Sequence, residues 1–408
     1  MLASPPLSPI LIVGAGPIGL AAAAKCLANG LDFRLLEAGP APAWAVRQWR
    51  HVRLFSPWHE CLDADAVALL AGNGWTAPDG SAFPTGGAVV DEYLAPLSAH
   101  PGIAARLRLG CRAARYARRG IAKHGGEERF AAPFVVTTGQ GEFSGRALLD
   151  ATGTWRLPRR LPQPRRPGAN ARIFQGIPNL SRRRVRDRLA GRRILVIGSG
   201  HSGMTVILDL LSRLSGADGT RILWVRRSPG ATSGKSFPAG SARAALEARA
   251  EVAARDSRVE TIDGVTITAL SQDDRGVTAH GADRAGAECA VGADFAIVST
   301  GYRPDLSLSG ELWMTVDHRW EAPLGLAGLI DPEKHSCNSV PAHGVEALAH
   351  PERDFFIVGA KSYGRAPNFA LTAGYGQLDA VIAHLGGRDP LVALRSCDPQ
   401  PHPASSCG

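Results

Sequence analysis

Two short stretches of this sequence repeat one pattern, and that pattern restricts the fold that the chain can adopt. Residues 10–20 read ILIVGAGPIGL, and residues 193–204 read RILVIGSGHSGM. Each stretch is an apolar run of strand length, followed by glycines spaced G-x-G-x-x-G and then by a helical pattern. A buried parallel strand that turns directly into a helix opens a β–α–β unit. The sequence therefore predicts an α/β protein with two such units.

The first unit continues in a way that favours dinucleotide binding. After the turn, residues 17–37 read as a helix and a second strand that ends in Glu37. Gly14 permits the tight turn, Gly16 lets a pyrophosphate approach the backbone, and Gly19 lets the helix and strand pack closely. The helix N-terminus offers unpaired N–H groups to phosphate. Glu37 is placed to accept hydrogen bonds from ribose hydroxyls.

The second unit ends differently. Its second strand, 221–225, is followed by Arg226 and Arg227. An acid at this place suits a free ribose 2′-hydroxyl, whereas an arginine suits a 2′-phosphate, so the first unit is expected to hold an unphosphorylated adenosine and the second NADPH. The open alternative is a strand-end charge pair. The turn residues expected to contact NADPH are Gly198, Gly200, His201, Ser202 and Gly203.

Three further segments complete a known arrangement: FPTGGAVVDEYLAPL at 83–97, DATGTW at 150–155 and STGYRPD at 299–305. With the two glycine turns, they give the chain a sequence that resembles two-dinucleotide-binding flavoproteins, especially the flavin-containing (class B) monooxygenases and related FAD/NAD(P)-binding oxidoreductases. The resemblance implies two Rossmann-like domains, with the NADPH domain inserted into the FAD domain. The implied boundaries are 1–164 and 306–396 for FAD, 165–305 for NADPH, and 397–408 for a disordered tail.

The resemblance also implies further cofactor contacts, from the loop near the flavin ring, the two Thr-Gly segments and the last strand: Arg53, Trp58, Thr152, Gly153, Gly301, Gly359 and Lys361. Two departures stand out. The family's FxGxxxH signature has its nearest match at 174–180, where Leu180 replaces the histidine. Ala360 and Lys361 follow Gly359 where disulfide-reductase relatives have aspartate, so contacts to the ribityl chain must differ.

Four residues are candidates for chemistry: Cys337, His335, Asn368 and Tyr363. Cys337 and His335 share a polar loop, and a nearby cation favours a reactive thiol. An isolated cysteine is also compatible with an inert role. The other two follow the last strand, where the resemblance places the flavin ring, and an ordinary turn is the alternative there. No Cys/His spacing typical of a metal site is present.

The resemblance implies an FAD-dependent, NADPH-consuming monooxygenase that oxygenates a soft heteroatom (S or N) of a small molecule with O2, through a C4a-(hydro)peroxyflavin. One alternative is an NADPH-dependent reductase that passes electrons to a quinone, metal species or disulfide without oxygen insertion. The absence of CxxC and CxxxxC argues against the familiar dithiol type. Another is an NADPH-sensing flavoprotein that binds a partner. Oligomeric state, including a homodimer, stays open.

Charge and composition argue against nucleic-acid-binding and membrane-spanning proteins. Residues 156–193 hold thirteen arginines and one acid, a net +12 that leaves −3 for the rest of this +9 chain. Repeated prolines and few aromatics in this stretch favour a solvated connector over a nucleic-acid surface. No apolar run reaches membrane-spanning length, and a cytoplasmic protein is expected. The segment GATSGKS at 230–236 has too few residues between its glycines for a phosphate-binding Walker motif, although Lys235 could touch cofactor phosphate.

Overall fold

Two parallel sheets organise the fold, one for each glycine turn. The computed structural model describes residues 8–162, 172–228, 241–335 and 340–387. Within these ranges, two five-stranded parallel sheets are accompanied by two three-stranded antiparallel sheets. This mixed α/β arrangement agrees with the fold class predicted from the sequence.

The strands, in chain order, are β1 Ile10–Val13, β2 Phe33–Leu36, β3 Leu107–Arg108, β4 Ala113–Arg118, β5 Phe134–Thr138, β6 Gly141–Gly145, β7 Ala147–Asp150, β8 Ile173–Gln175, β9 Arg193–Ile197, β10 Arg221–Arg226, β11 Val259–Asp263, β12 Thr266–Gln272, β13 Val277–Ala282, β14 Glu288–Ala293, β15 Phe295–Val298 and β16 Phe355–Ile357. The α-helices are α1 Pro17–Ala28, α2 Trp44–Gln48, α3 Trp58–Cys61, α4 Ala64–Ala71, α5 Gly86–Ala88, α6 Ala95–Ala99, α7 Pro101–Ala104, α8 Arg183–Leu189, α9 His201–Arg213, α10 Ala242–Ala253, α11 Leu324–Ala327, α12 Val345–Leu348 and α13 Leu371–Leu385. A π-helical turn, Val89–Leu94, joins α5 to α6.

The first sheet takes its strands from both ends of the chain. Its order is β16-β7-β1-β2-β3, and all of its pairings are parallel. Val13 lies opposite both Leu36 and Asp150, so three strands end level with one another. Residues that follow these strands therefore meet at one edge, the edge at which open α/β sheets bind ligands.

The second sheet repeats this arrangement from the middle of the chain. Its order is β11-β10-β9-β15-β8, again fully parallel. Ile197 of β9 lies opposite Val225 and Val298, so the second glycine turn also starts at a level strand edge. The antiparallel sheets β4-β5-β6 and β12-β13-β14 lie beside the first and second parallel sheets, with which they share apolar clusters.

Small side chains allow the first helix to pack closely on its sheet. Four consecutive alanines, 21–24, are fully or almost fully buried in α1, which packs against the last helix, α13. In the second unit α9 packs against α10. Leu180, which stands where the resemblance places a histidine, is buried in the apolar core of this unit with Leu189 and Ile194. None of the helices in the described ranges is both long enough and apolar enough to cross a membrane.

Candidate functional site

The first glycine turn has the geometry of a phosphate cradle. Gly14 has a φ of +102°, and a Cβ there would lie 2.6 Å from the carbonyl oxygen of Ala151. A Cβ on Gly19 would lie 1.8 Å from the carbonyl oxygen of Gly14, so the helix touches the strand only because this residue is glycine. A Cβ on Gly16 would meet nothing within 4 Å. This open glycine precedes Pro17, the first residue of α1, and leaves the helix N-terminus accessible to an anion.

The second turn reproduces this geometry residue by residue. Gly198 has a φ of +124°, and its Cβ would lie 2.4 Å from the carbonyl oxygen of Ser299. A Cβ on Gly203 would lie 2.1 Å from the carbonyl oxygen of Gly198, and one on Gly200 would meet nothing within 4 Å. The middle glycine of each turn is thus not required for packing against other residues. Both turns fit a pyrophosphate, which is what that open space can admit.

Glu37 is fixed at the end of β2 beside the first turn. Its side chain is only 9% exposed, and its two oxygens accept hydrogen bonds from the backbone N–H groups of Ala15 (2.9 Å) and Gly39 (2.6 Å). A carboxylate oxygen has more than one acceptor site. The bonds to the backbone therefore orient Glu37 while leaving capacity for the hydroxyls of a ribose.

The two arginines after β10 have different surroundings. Arg226 is 5% exposed and forms a two-pronged ion pair with Asp263, at 2.6 Å and 2.7 Å, on the neighbouring strand β11. Its guanidinium also lies over the ring of Trp224. The third nitrogen, Nη1, is buried and has no hydrogen-bond partner in the described part of the chain. Arg227 is exposed. The expected pair therefore splits into one anchored and one accessible side chain.

The helical pattern after Gly203 predicts a start at Met204, but α9 already begins at His201. Burial, with a smaller contribution from the charge of Arg243, lowers the pKa of His201 to about 4, so its imidazole is neutral at physiological pH. The ring of Phe55 lies 5.4 Å from it, which brings the loop after α2 against the second turn. Ser202 is exposed and Gly203 is buried, as the close helix–strand contact requires.

The chain crosses between the two sheets twice, and the two crossings run side by side. Pro158 and Tyr302 form an antiparallel bridge, and the rings of Trp155 and Tyr302 stack with centroids 5.3 Å apart. Gly153 and Gly301, at the starts of the crossings, have φ values of +67° and +88°. A Cβ on either would meet nothing within 4 Å, so their backbones border open space.

Lys361 lies in the turn after β16, as the sequence predicts, and its side chain is held by other residues of the chain. Its side chain is 0% exposed, and Nζ donates to Asp150 at 2.5 Å and to Thr152 at 3.1 Å. It cannot reach a cofactor in this conformation, and it instead ties the end of β16 to the end of β7. Thr152 in turn donates its Oγ1–H to Asp150 at 2.7 Å. Gly359 is buried against Ile18 of α1 and marks the same junction.

Three more expected contacts lie in the core or are held by other groups. Trp58 is 4% exposed and packs in the main apolar core, so packing rather than flavin contact is the role its position supports. Tyr363 is likewise fully buried, between His343 and Phe369. Arg53 is exposed and donates to the carbonyl oxygen of Phe83 at 2.6 Å.

The side chain of Asn368 contacts the backbone of His335 rather than its imidazole. The Asn368 amide donates to the carbonyl oxygens of Ile330 (3.2 Å) and His335 (3.1 Å). Asn368 is 3% exposed, and its Oδ1 has no partner in the described part of the chain. This arrangement anchors the loop before residue 336. Cys337, the candidate thiol, lies outside the described residues.

Sequence reasoning missed two acidic residues that shape the site. Asp263 anchors Arg226, and Glu321 pairs with Arg303 and lies 3.7 Å from Arg365. Asp263 lies 37 positions from Arg226, and Glu321 lies 18 positions from Arg303. No local motif marks either carboxylate, so only the tertiary structure reveals them.

Comparisons with known proteins agree with this geometry. Residues 127–324, just under half of the chain, match the family model described as "Pyridine nucleotide-disulphide oxidoreductase". Indole-3-pyruvate monooxygenase YUCCA1 of Oryza sativa subsp. japonica is 31% identical over 211 residues, which are 49% of this chain and 44% of that protein. The match therefore spans less than half the length of this curated relative.

Solved structures resemble nearly the whole chain. Bacillithiol disulfide reductase Bdr (YpdA) from Bacillus cereus gives a TM-score of 0.66 at 17% identity, covering 94% of this chain and 99% of that one. The structure of the ornithine N-hydroxylase KtzI of Kutzneria sp. 744 with reduced FAD, NADP+ and L-ornithine gives 0.65 at 14% identity, covering 94% and 99%. At these identities the likeness shows the fold.

These findings confirm the predicted resemblance and the predicted fold class: the chain has the fold of two-dinucleotide-binding flavoproteins. The expected oxidoreductase class agrees with the description of the matching family model. The expected cofactors, FAD and NADPH, agree with the FAD and NADP+ that accompany the ornithine N-hydroxylase in its structure.

Proposed function

We propose that this chain is an FAD-dependent, NADPH-consuming monooxygenase that oxygenates a soft heteroatom, sulfur or nitrogen, of a small molecule. The observation that carries the proposal is a pair of matching phosphate cradles with opposite charges beside them. Glu37 accompanies the first cradle, and Arg226 and Arg227 accompany the second. A carboxylate suits the free 2′-hydroxyl of FAD, and guanidinium groups suit the 2′-phosphate of NADPH.

The residues that would hold each cofactor follow from this geometry. FAD would lie with its pyrophosphate against Gly16 and the start of α1, and with its adenosine ribose on Glu37. NADPH would lie with its pyrophosphate against Gly200, and with its 2′-phosphate on Arg227 and the unpartnered Nη1 of Arg226.

We assign the FAD domain to 1–164 and 306–396 and the NADPH domain to 165–305, as the sequence predicts. The strands of the two parallel sheets support this division. The first sheet uses β1, β2, β3, β7 and β16, whereas the second uses β8 to β11 and β15.

When bound, FAD reduced by the hydride of NADPH supplies the oxygen chemistry, in which one atom of O2 enters the substrate and the other leaves as water. The protein's residues have the tasks of orientation and of water exclusion. The two crossings, joined by the Trp155–Tyr302 stack, set the relation of one cofactor site to the other. The buried pair of Lys361 and Asp150 fixes the strand ends beneath the first site.

The described cysteines favour oxygenation over thiol relay. Cys26, Cys61 and Cys111 are fully buried and Cys289 is half-buried, and all four are free thiols. Burial raises the pKa of both Cys26 and Cys61 to about 12, which keeps them protonated and poor nucleophiles. The family resemblance nevertheless includes a disulfide reductase fold. A reductase that passes electrons to an external acceptor is therefore the competing function.

One experiment separates these functions. FAD-loaded protein is supplied with NADPH, isotopically labelled dioxygen, and either a small thioether or a tertiary amine. We expect labelled sulfoxide or N-oxide in proportion to the NADPH consumed. NADPH consumption with transfer to a quinone or a disulfide, and with no label in any product, would establish the reductase. An absence of steady NADPH consumption would favour a sensor that binds a partner.

A further inference from the structure

The crossing between the two units carries a group of arginines that the proposed cofactor contacts do not use. Arg159 lies on the first crossing, after β7, and Arg303 lies on the second, after β15. Arg365 follows β16 and the short 3₁₀ turn at its end. All three therefore come from the carboxyl-terminal side of parallel strands, where ligands bind in such sheets. We call these three residues the crossing arginines.

Backbone hydrogen bonds fix the positions of two of them. The N–H of Arg159 donates to the carbonyl oxygen of Gly301, and the N–H of Arg303 donates to the carbonyl oxygen of Leu157, both at 2.9 Å. The hydroxyl of Thr300 donates to the carbonyl oxygen of Arg159 at 2.6 Å. The two guanidinium groups thus start from one rigid antiparallel pair of segments rather than from independent loops.

The crossing arginines have only one carboxylate among them in the described ranges. Glu321 accepts from Nε of Arg303 at 3.1 Å and also contacts Nη2 of the same side chain. Nη1 of Arg365 lies 3.7 Å from Glu321. The half-buried guanidinium of Arg159 has no hydrogen-bond or ion-pair partner among the described residues. Three positive charges therefore face one negative charge.

Two adjoining segments that lie outside the described residues contain no carboxylate. Residues 163–171, which follow the first crossing, and residues 229–240, which follow Arg227 and Ser228, contain neither Asp nor Glu. Burial lowers the pKa of Arg159, and the positive charges of Arg365, Arg227 and Arg303 lower it further. Mutual repulsion in a partly desolvated place is relieved when an anion binds, and the planar guanidinium fork matches a carboxylate in particular.

We propose that the crossing arginines bind the carboxylate of the substrate, so that the molecule oxygenated by this protein is an organic acid. The inference rests on the proposed function, because it places the substrate where a ligand can meet both cofactors. The adenosine 2′-phosphate is assigned to Arg227, at the end of β10, whereas Arg303 and Arg365 follow β15 and β16. The crossing arginines are specificity-determining residues that contact the substrate away from the oxygenated atom.

Binding to the oxidised, FAD-loaded protein tests the assignment without turnover. The probes are benzoate and its uncharged analogue benzamide, followed by flavin absorbance or calorimetry. We expect benzoate to bind more tightly than benzamide. Arg159→Gln and Arg365→Gln should each weaken benzoate binding by about ten- to a hundredfold, the effect of losing a hydrogen bond between charged groups. Arg159→Lys should give an intermediate loss, because it keeps the charge without the fork.

Two further variants make the result specific. Glu321→Gln removes the competing carboxylate and should tighten benzoate binding. Arg50→Gln is the matched control. Arg50 is an exposed arginine that pairs with the carboxylate of Asp91, just as Arg303 pairs with that of Glu321. Arg50 lies near helix α5 in the first unit and is not one of the crossing arginines. It should leave benzoate binding unchanged.

A comparison of NADP+ and NAD+ binding tests whether the crossing arginines bind the 2′-phosphate of the cofactor instead of a substrate carboxylate. If the crossing arginines bind the substrate, Arg159→Gln leaves the ratio of NADP+ to NAD+ affinity unchanged, and Arg227→Gln lowers it. A fall of that ratio in Arg159→Gln, with benzoate binding unaltered, would assign the cluster to the cofactor and overturn the proposal. Equal benzoate affinity in all variants would overturn it as well. If the wild-type protein transfers no labelled oxygen but still binds benzoate more tightly than benzamide, the monooxygenase function is refuted and the carboxylate-binding site is retained.

Discussion

The middle and last glycines of the second turn offer a direct test of the phosphate cradle. Gly200 precedes α9 with φ −76° and ψ 176°, a conformation open to alanine, and a Cβ there would meet nothing within 4 Å. A Cβ on Gly203 would lie 2.1 Å from the carbonyl oxygen of Gly198. Both substitutions add one methyl group at neighbouring positions. The structure nevertheless predicts opposite consequences for stability.

The magnitudes follow from these environments. Gly200→Ala should leave the free energy of unfolding unchanged or raise it by up to about 1 kcal/mol, because alanine restricts the unfolded chain. The same methyl occupies the space needed by the pyrophosphate. Loss of one or two charge-assisted hydrogen bonds, roughly 1.5–3 kcal/mol each, would weaken NADPH binding at least about tenfold. Gly203→Ala pushes the backbone of α9 away from that of Gly198 and should lower the free energy of unfolding by roughly 1–3 kcal/mol or more.

The assay combines urea unfolding of FAD-saturated protein with NADPH titration of the oxidised form. Gly200→Ala is expected to unfold at or slightly above the wild-type midpoint and to lose NADPH affinity while keeping FAD. Gly16→Ala should show the converse loss, of FAD, because Gly16 has the same open surroundings in the first turn. A folded Gly200→Ala protein that binds NADPH with wild-type affinity would refute the reasoning that this turn holds a cofactor phosphate.

Three other perturbations test different parts of the structure. Lys361→Met leaves Asp150 buried without its cation, so the free energy of unfolding should fall by about 3–5 kcal/mol, and adding Asp150→Asn should restore much of it; a loss below about 1 kcal/mol would contradict the buried pair. Arg227→Gln should lower the preference for NADPH over NADH in flavin reduction by about tenfold or more, and an unchanged preference would remove its proposed role. Burial lowers the pKa of His350 from 6.5 to about 4, so only the unfolded chain takes up a proton there between these values, and stability is lost as the pH falls through this window. His350→Leu should remove up to about 3 kcal/mol of that acid-induced loss, measured by urea unfolding at neutral and acidic pH, and an unaltered loss would show that other groups cause it.

The sequence predicts the two units well because their signals are local. In the first unit, the apolar run, the glycine spacing and the following strand all lie within 10–37, and the structure has β1, α1 and β2 there. The sequence predicts the start of α9 less well. Gly200 is the residue before the helix, so the helix already includes His201, Ser202 and Gly203. A glycine-rich stretch does not show by itself where the helical conformation begins.

The surroundings of individual side chains could not be predicted because their partners are distant in sequence. Lys361 meets Asp150 only because β16 is laid beside β7, across 211 positions of the chain. Arg226 meets Asp263 through the pairing of β10 with β11. From the sequence alone, a charged residue beside a glycine suggests a ligand contact, because its ion-pair partner cannot be recognised.

The side-by-side crossings have a consequence for modularity. Since Pro158 and Tyr302 face each other as a bridged pair, the polypeptide leaves the first unit and returns to it at nearly the same point. A reconnecting turn of about two residues would suffice to excise everything between them. The remaining segments already contain every strand of the first sheet. The second parallel sheet is thus joined to the first through two adjacent segments of the chain, so its removal would leave the first sheet with all of its strands.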